Sequence, residues 1–156
     1  MTAQIIHLAD EAATISFSER CRDALTGSLA GWTILLEGEL GAGKSTFARG
    51  LIRAFGHHGA VPSPTYTLVE PYEVPAGNIY HIDLYRISDV EELRYLGFNE
   101  LADGLRLIEW PERVPALAET ADLRIKLAYD GDGRTATLKG LTGRGADVVG
   151  QVISKH

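Results

Sequence analysis

The stretch that decides the fold occupies residues 32–55 and reads WTILLEGELGAGKSTFARGLIRAF. Its first six residues are mostly apolar and lie between glycines, which is typical of a central strand that is buried on both faces. A glycine-rich loop follows at residues 38–43. After the loop, apolar side chains recur at the spacing of one helix face, at Phe47, Leu51 and Phe55. The stretch therefore predicts a buried strand, a tight loop and an amphipathic helix.

The loop matches the phosphate-binding motif G-x-x-x-x-G-K-[ST] from Gly38 to Ser45. The glycines are needed because backbone N–H groups can surround a phosphate only where no side chain obstructs them. Lys44 supplies a positive charge for the β and γ phosphates, Ser45 offers a hydroxyl to Mg²⁺, and the helix N-terminus adds partial positive charge. A chance match in a chain of this length is expected in roughly one of a few hundred sequences. We therefore predict a nucleotide site.

Such a site needs a carboxylate at a strand end to hold Mg²⁺ or its water ligands. Two predicted strands, at residues 78–84 and 105–110, carry Asp83 and Glu109 near their ends. Either acid could instead be simply solvated, but beside a phosphate loop we expect at least one to be a magnesium ligand. Thr65 lies in a loop about 20 residues after the lysine, where nucleotide switches often sense the γ-phosphate with a hydroxyl. A simple turn explains it equally well.

Two further residues have a structural and a functional interpretation. Trp110 follows Glu109 directly, and is either a core aromatic or an aromatic near the nucleotide or a partner surface. His81 stands two residues before Asp83, so both side chains are expected on one face of their strand. A His-x-Asp pair could bind a metal, but no third ligand is evident in the sequence.

Other patterns complete the predicted fold. Strands are expected at residues 5–8, 66–70, 123–129 and 134–138, with helices from Asp10 to about residue 29 and over 89–96. Ser88 is the predicted cap of the second of these helices, with Glu91 completing a capping box. We predict an α/β protein: a three-layer sandwich of the P-loop NTPase type, with a mostly parallel central sheet and a C-terminal antiparallel hairpin.

Length and charge narrow the class of protein. The 156 residues are expected to form one domain over 1–156, with residues 141–156 left unassigned because their pattern fades among glycines. The 15 Lys and Arg are outnumbered by 21 Asp and Glu and form no run, so a direct nucleic-acid binder is not indicated. One cysteine excludes an internal disulfide. No apolar stretch approaches the ~20 residues that span a bilayer, and we expect a soluble cytoplasmic protein.

The phosphate loop alone leaves several protein classes open. The Asn-Lys-x-Asp signal of GTPases is absent from the sequence. Small-molecule kinases of similar length usually carry closely spaced arginines in a mobile lid, whereas the arginines here are spread, at Arg94, Arg106, Arg113 and Arg124. A kinase and a nucleotide-gated scaffold that switches a partner interface both stay as alternatives.

Four motifs in order narrow the choice: GELGAGKST at residues 38–46, SPTYTLVE at 63–70, HIDLYR at 81–86 and IEWP at 108–111. Together they resemble the TsaE (YjeE) family, P-loop ATPases of bacterial tRNA N6-threonylcarbamoyladenosine (t6A) synthesis. The resemblance covers roughly residues 5 to 140. One departure is Ser45, where many members have threonine; both side chains carry the hydroxyl that Mg²⁺ needs.

The resemblance implies a set of site residues and partners. ATP is expected at Gly41, Ala42, Gly43, Lys44, Ser45 and Thr46, with Thr14 and Arg134 near the adenine or ribose. Mg²⁺ is expected on Ser45 and Glu109 with Asp83 close by, and the residues expected to serve hydrolysis are Lys44, Asp83, Glu109 and Thr65. Trp110 becomes a partner or sensor position. The implied partners are the TsaB and TsaD proteins, with tRNA engaged only indirectly and no membrane involved.

Overall fold

The computed structural model describes residues 2–155. Within these residues seven strands and four helices follow one another in this order: β1 (Gln4–Leu8), α1 (Glu11–Ala24), β2 (Thr33–Gly38), α2 (Lys44–Ala54), β3 (Val69–Val74), β4 (Gly77–Asp83), α3 (Val90–Tyr95), β5 (Leu105–Glu109), β6 (Leu123–Asp130), β7 (Gly133–Gly140) and α4 (Gly143–Ser154). Short 3-10 helices lie between α3 and β6, at Phe98–Asp103, Pro111–Arg113 and Pro115–Glu119.

The strands form one mixed sheet in the order β1-β7-β6-β2-β5-β4-β3. The four inner strands β6, β2, β5 and β4 run parallel to one another. Antiparallel pairs flank them, with β7 and β1 on one side and β3 on the other. The predicted α/β class, the mostly parallel centre and the C-terminal antiparallel hairpin are confirmed.

Strand β2 sends alternate side chains into two separate cores, as expected of a strand that is buried on both faces. Ile34 and Leu36 pack in the core beneath α1, α2 and α4. Leu35 packs on the opposite face, beneath α3 and the 3-10 helices. Helices α1 and α2 also contact each other, with the rings of Phe17 and Phe47 5.3 Å apart. The central strand thus anchors the loop that follows it to both layers.

Two predicted boundaries are wrong for local reasons. Helix α1 ends at Ala24 rather than near residue 29, because the chain turns at Gly27, whose φ of +79° lies in the left-handed region. Strand β3 begins at Val69 rather than at residue 66, because a turn precedes it in which the Leu68 N–H donates to the Pro64 carbonyl at 2.7 Å.

The N-cap of α3 is Asp89 rather than Ser88. The Asp89 carboxylate accepts from the Glu92 N–H at 3.1 Å, which satisfies a free backbone donor of the first turn. The Ser88 hydroxyl instead donates to the Glu92 carboxylate.

The unassigned tail forms helix α4. Thr142 caps its N-terminus, and its buried valines at 148, 149 and 152 face the sheet and α1. Three glycines in the helix lower its intrinsic propensity, and this hid the apolar spacing of the valines.

A buried carboxylate fixes the start of α4. Asp122, directly before β6, accepts hydrogen bonds from the Thr33 N–H at 3.0 Å and the Thr142 hydroxyl at 2.9 Å. The Arg144 guanidinium donates to both oxygens of Asp122 at 2.9 Å and stacks 4.1 Å from the centre of the Trp32 ring. The network ties α4 to the N-terminal ends of β2 and β6.

The outer edge of the sheet carries a proline. Strand β3 is the edge strand, and Pro71 pairs in register with Tyr80 of β4. A proline is tolerated in a strand where its missing N–H would face away from the neighbouring strand.

Candidate functional site

The glycine-rich loop connects the C-terminal end of β2 to the N-terminus of α2. Gly43 is the N-cap of α2 and has a φ of +108°, a conformation that glycine adopts without strain. No side chain caps this helix end, so its first N–H groups are available to a ligand. The helix N-terminus and the loop amides together form an arrangement that binds anions.

The parallel pairing of β4 with β5 brings the two predicted acids together. Asp83 and Glu109 are in register at the C-terminal ends of their strands, beside the end of β2 that bears the loop. Both side chains are buried, at 4% and 5% exposed. This edge of an open α/β sheet is where ligands are generally bound.

These elements enclose a cleft of about 190 Å³, which we call the carboxylate cleft. Its lining residues are Leu40, Gly41, Gly43, Lys44, Ser45, Thr46, Ser63, Thr65, Asp83, Glu109 and Trp110. The structure thus brings together the predicted lysine, hydroxyl, carboxylate and tryptophan residues. Ala42 is fully buried in the core, so only its backbone can serve the loop.

Each carboxylate has its own hydrogen-bond partners. Asp83 accepts from the Thr65 hydroxyl at 3.2 Å and from the Tyr85 N–H at 2.8 Å. Glu109 lies 2.5 Å from the Nε2 atom of His81, which is 2% exposed. His81 and Asp83 share one face of β4, as their spacing predicts, and the hydrogen-bond partner of His81 is on the neighbouring strand β5.

The lysine of the motif contacts Trp110. Lys44 is buried at 6% exposed, and its Nζ lies 4.2 Å from the centre of the Trp110 ring, a cation–π contact. Tyr85 packs edge-on against the same ring, with the centroids 5.0 Å apart. Trp110 itself adopts a φ of +57°, which is unusual for a bulky residue. Such outliers persist where the surrounding structure holds them, often at functional sites.

A second pocket of about 180 Å³ lies on the other side of the loop, and we call it the hairpin pocket. Its lining residues are Leu8, Asp10, Glu11, Thr14, Gly41, Gly43, Thr46, Asp132, Gly133 and Arg134. It contains Thr14 and Arg134, the two residues expected near the adenine or ribose. Each pocket is smaller than the roughly 300 Å³ of a small ligand site, but the two share Gly41, Gly43 and Thr46.

The β6–β7 hairpin braces the loop through two carbonyl groups. The Tyr129 hydroxyl donates to the Leu40 carbonyl at 2.8 Å, and the Arg134 guanidinium donates to the Gly41 carbonyl at 3.3 Å. The guanidinium also stacks 4.3 Å from the centre of the Tyr129 ring. A Cβ at Gly41 would come within 2.5 Å of the Tyr129 hydroxyl oxygen, so the contact requires glycine there. Sequence reasoning missed Tyr129, because nothing in the hairpin pattern indicates which loop it touches.

The donor set suits a phosphate together with a divalent cation. Hard carboxylate and hydroxyl oxygens are the ligands that Mg²⁺ prefers, and Mg²⁺ usually takes only one or two carboxylates and completes its shell with phosphates and water. Among residues 2–155 no group of three or more His, Cys, Asp and Glu could hold a metal. The residues of the carboxylate cleft that could hold a divalent cation beside a phosphate are Ser45, Asp83 and Glu109.

In the part of the chain that the structure describes, every helix is too short or too polar to cross a bilayer.

Comparisons with known proteins give a consistent assignment. A family model described as "Threonylcarbamoyl adenosine biosynthesis protein TsaE" matches residues 8–137. A Haemophilus influenzae protein named tRNA threonylcarbamoyladenosine biosynthesis protein TsaE is 42% identical over 118 residues, which are 74% of this chain and 75% of the relative. A Nostoc protein of the same name is 37% identical over 133 residues, covering 82% of this chain and 80% of the relative.

The crystal structure of Bacillus subtilis YdiB has the same fold, with a TM-score of 0.77 over 99% of this chain and 96% of that one. At 23% sequence identity this similarity bears on the fold alone. The family model, which spans β2, the glycine-rich loop and both strand-end acids, carries the assignment: this chain belongs to the TsaE family.

Proposed function

We propose that this protein binds and hydrolyses ATP with Mg²⁺ in the biosynthesis of tRNA threonylcarbamoyladenosine, acting with TsaB and TsaD. The observation that carries the proposal is the carboxylate cleft, where Lys44 and Ser45 begin α2 opposite the buried Asp83 and Glu109. The names of the relatives supply the biosynthetic process. We also propose that the protein acts in the cytoplasm. Because the chain carries a net charge of −6, tRNA is proposed to be bound by the partners rather than by this protein directly.

Substrate binding is proposed to use both sides of the loop. The N–H groups from Gly41 to Thr46 and the Lys44 ammonium hold the phosphates, because a helix N-terminus and a lysine concentrate positive charge there. The hairpin pocket receives the nucleoside, with Thr14 and Arg134 in contact with it. Since the two pockets meet at the loop, one nucleotide can occupy both.

Catalysis is proposed to rest on positioning and charge stabilisation, as in other phosphate-loop enzymes. Bound Mg²⁺ would supply charge neutralisation at the phosphate oxygens, and Ser45, Glu109 and Asp83 are the residues that would hold it or its water ligands. Thr65, Asp83 and Glu109 are the groups that can orient the attacking water. Trp110 lies against Lys44, so it is suited to sense the nucleotide or a bound partner.

The direct test is Mg²⁺-dependent hydrolysis of ATP by the purified chain, alone and with TsaB and TsaD. We expect slow hydrolysis alone and strong stimulation by the partners. Lys44→Ala should lower the stimulated rate by at least about 100-fold, the loss typical of removing one preorganised charge-stabilising donor.

Lys155→Ala provides the matched control, because it removes an exposed lysine at the C-terminal end of α4 that lines neither pocket. A Lys44→Ala protein that hydrolyses ATP normally would show that the activity belongs to a contaminant. A phosphorylated acceptor in place of free phosphate would favour the kinase alternative. Full repeated tRNA modification by a variant that binds but cannot hydrolyse ATP would favour the scaffold.

A further inference from the structure

His81 is a buried histidine to which the proposed mechanism gives no task. It lies in β4 at 2% exposed, and its Nε2 atom is 2.5 Å from the Oε2 atom of Glu109. Glu109 is 5% exposed. Among residues 2–155, His81 is the residue whose side chain hydrogen-bonds to the Glu109 carboxylate.

The strand geometry explains why these two residues meet. Side chains two residues apart share one face of a strand, so His81 lies on the face of Asp83 and one pleat deeper in the sheet. Glu109 is the last residue of β5 and lies on the same face, opposite Asp83 in the register. The Asp83 carboxylate accepts hydrogen bonds from the Thr65 hydroxyl and the Tyr85 N–H. The hydrogen bond of His81 goes to Glu109 instead.

The hydrogen-bonding partners fix which nitrogen of His81 carries the proton. An ionised carboxylate only accepts hydrogen bonds, so the Nε2–H must donate to Glu109. The buried Nδ1 atom has no partner among the described residues. A buried N–H left without an acceptor is costly, so the hydrogen-bond geometry places the donor N–H on Nε2.

We propose that His81 is a positioning residue for Glu109. By holding Oε2, it selects one orientation of the carboxylate and leaves Oε1 to serve the carboxylate cleft that Glu109 lines. Residues that orient a ligand in this way commonly change metal affinity or activity by about 10- to 100-fold when they are replaced. The inference rests on the proposed function, because it concerns how Glu109 is held for Mg²⁺ or water.

The test compares three replacements of His81. His81→Gln keeps an amide N–H near the position of Nε2, whereas the amide of His81→Asn coincides with Nδ1 and falls short of Glu109. His81→Leu removes the donor altogether. His58→Leu is the control, since it changes an exposed histidine beyond the far end of α2.

The first measurement is binding of a non-hydrolysable ATP analogue by calorimetry, with and without Mg²⁺. Mg²⁺ should tighten binding of the analogue by a certain factor in the wild type, and we expect that factor to be about 10- to 100-fold smaller in His81→Leu and His81→Asn. In His81→Gln the factor should stay close to the wild-type value. Binding without Mg²⁺ should be the same in all variants. Equal Mg²⁺ dependence in all the variants would overturn the inference.

A double-mutant cycle with Glu109→Gln tests whether His81 acts through Glu109. If it does, His81→Asn has little further effect once Glu109 has lost its charge; a full additive effect would contradict the inference. Stimulated hydrolysis is then measured. The KM for ATP in the presence of Mg²⁺ is expected to rise with the loss of Mg²⁺-dependent binding, and kcat is expected to fall as well, since the orientation of Glu109 also matters to the transition state.

The outcomes separate this inference from the proposed function. A wild-type protein without ATPase activity, even with its partners, would overturn the proposed function, while Mg²⁺-dependent binding of the analogue would still decide on His81. An active wild type with equally active His81→Leu and His81→Asn would overturn the inference alone. Thermal unfolding identifies variants that fail to fold, and the Gln and Asn pair then carries the comparison.

Discussion

Lys44 has two competing partners in the proposed cycle. In the structure its ammonium lies over the Trp110 ring, a contact that contributes about 1 kcal/mol at partly desolvated sites. Phosphate oxygens would attract the same ammonium more strongly, because they carry full negative charge. Nucleotide binding is therefore expected to change the environment of Trp110.

This change can be measured by tryptophan fluorescence. The chain has two tryptophans, and Trp32 is buried beneath Arg144, so a Trp32→Phe protein reports on Trp110 alone. We expect MgATP to alter its emission, and Lys44→Ala to remove most of the response. An unchanged spectrum at saturating nucleotide, with binding established by calorimetry, would contradict the prediction.

At the residue scale, the sequence predicted which residues lie together in the carboxylate cleft but not which of them hydrogen-bond to each other. Lys44, Ser45, Asp83, Glu109 and Trp110 were all predicted, because a motif and strand-end positions are visible in a linear pattern. The contact of His81 with Glu109 depends on the register between β4 and β5, and Tyr129 reaches Leu40 across 89 residues of sequence. No local pattern encodes either contact. The roles of the site residues stay predictions.

At the scale of the elements, helix α4 is tied at its start to the buried carboxylate of Asp122. Burial by itself raises the pKa of Asp122, but the hydrogen bonds from Arg144, Thr33 and Thr142, together with the Arg144 charge, outweigh this and hold the pKa below its ordinary value. Folding therefore favours the ionised form of this carboxylate.

Replacing Asp122 by Asn should lower the free energy of unfolding at pH 7 by about 2 kcal/mol, the scale of hydrogen bonds to a charged group. Because the folded pKa lies below the unfolded value of about 3.9, the Asp122 contribution is complete above that pH and is lost as pH falls through the folded pKa.

Urea unfolding of the wild type and of Asp122→Asn between pH 7 and pH 2.5 measures the contribution of Asp122. The difference in the free energy of unfolding between the two proteins should become smaller only below about pH 4. Asp147→Asn is the matched control, since it changes an exposed acid on the same helix. A difference that is constant across the whole range would contradict the prediction.

The sequence did not predict α4, and the reason is physical. Its glycines lower helix propensity, and the helix is stabilised by packing against β7, β1 and α1 and by its link to Asp122. Tertiary contacts of this kind have no counterpart in a local pattern. By contrast, β2 and α2 were predicted to within two residues, because an apolar run, glycines and helical spacing all agree there.

At the scale of the whole molecule, the single cysteine offers a probe of global unfolding. Cys21 is a residue of α1 that is buried in the core, where burial raises the pKa of its thiol to about 12 although Arg20 partly opposes this. A protonated and buried thiol is inert to alkylating reagents. We therefore expect an alkylating reagent at pH 8 to label Cys21 only when the chain unfolds.

Nucleotide should slow that labelling. A ligand that binds only the folded state at 100 times its Kd reduces the unfolded population by about 100-fold. The labelling rate of Cys21 with MgATP should fall accordingly, while Lys44→Ala should label at the same rate with and without nucleotide. Rapid labelling of the native protein would show instead that α1 opens locally.

The mixed sheet follows from patterns that the sequence displays, namely apolar runs in the centre and an alternating hairpin at the end. The order of the strands does not, since it depends on which runs pair across long separations, such as β1 with β7. That residues 1–156 form a single domain stays a prediction.

Pro71 in the outer strand bears on how the protein behaves at high concentration. An exposed strand edge is a template on which another molecule can add a strand and so begin aggregation. At Pro71 the ladder lacks a donor, and the acidic side chains of Glu70 and Glu73 lie in the same strand. An incoming strand would thus find an interrupted ladder and negative charge, so this edge disfavours the growth of fibrils.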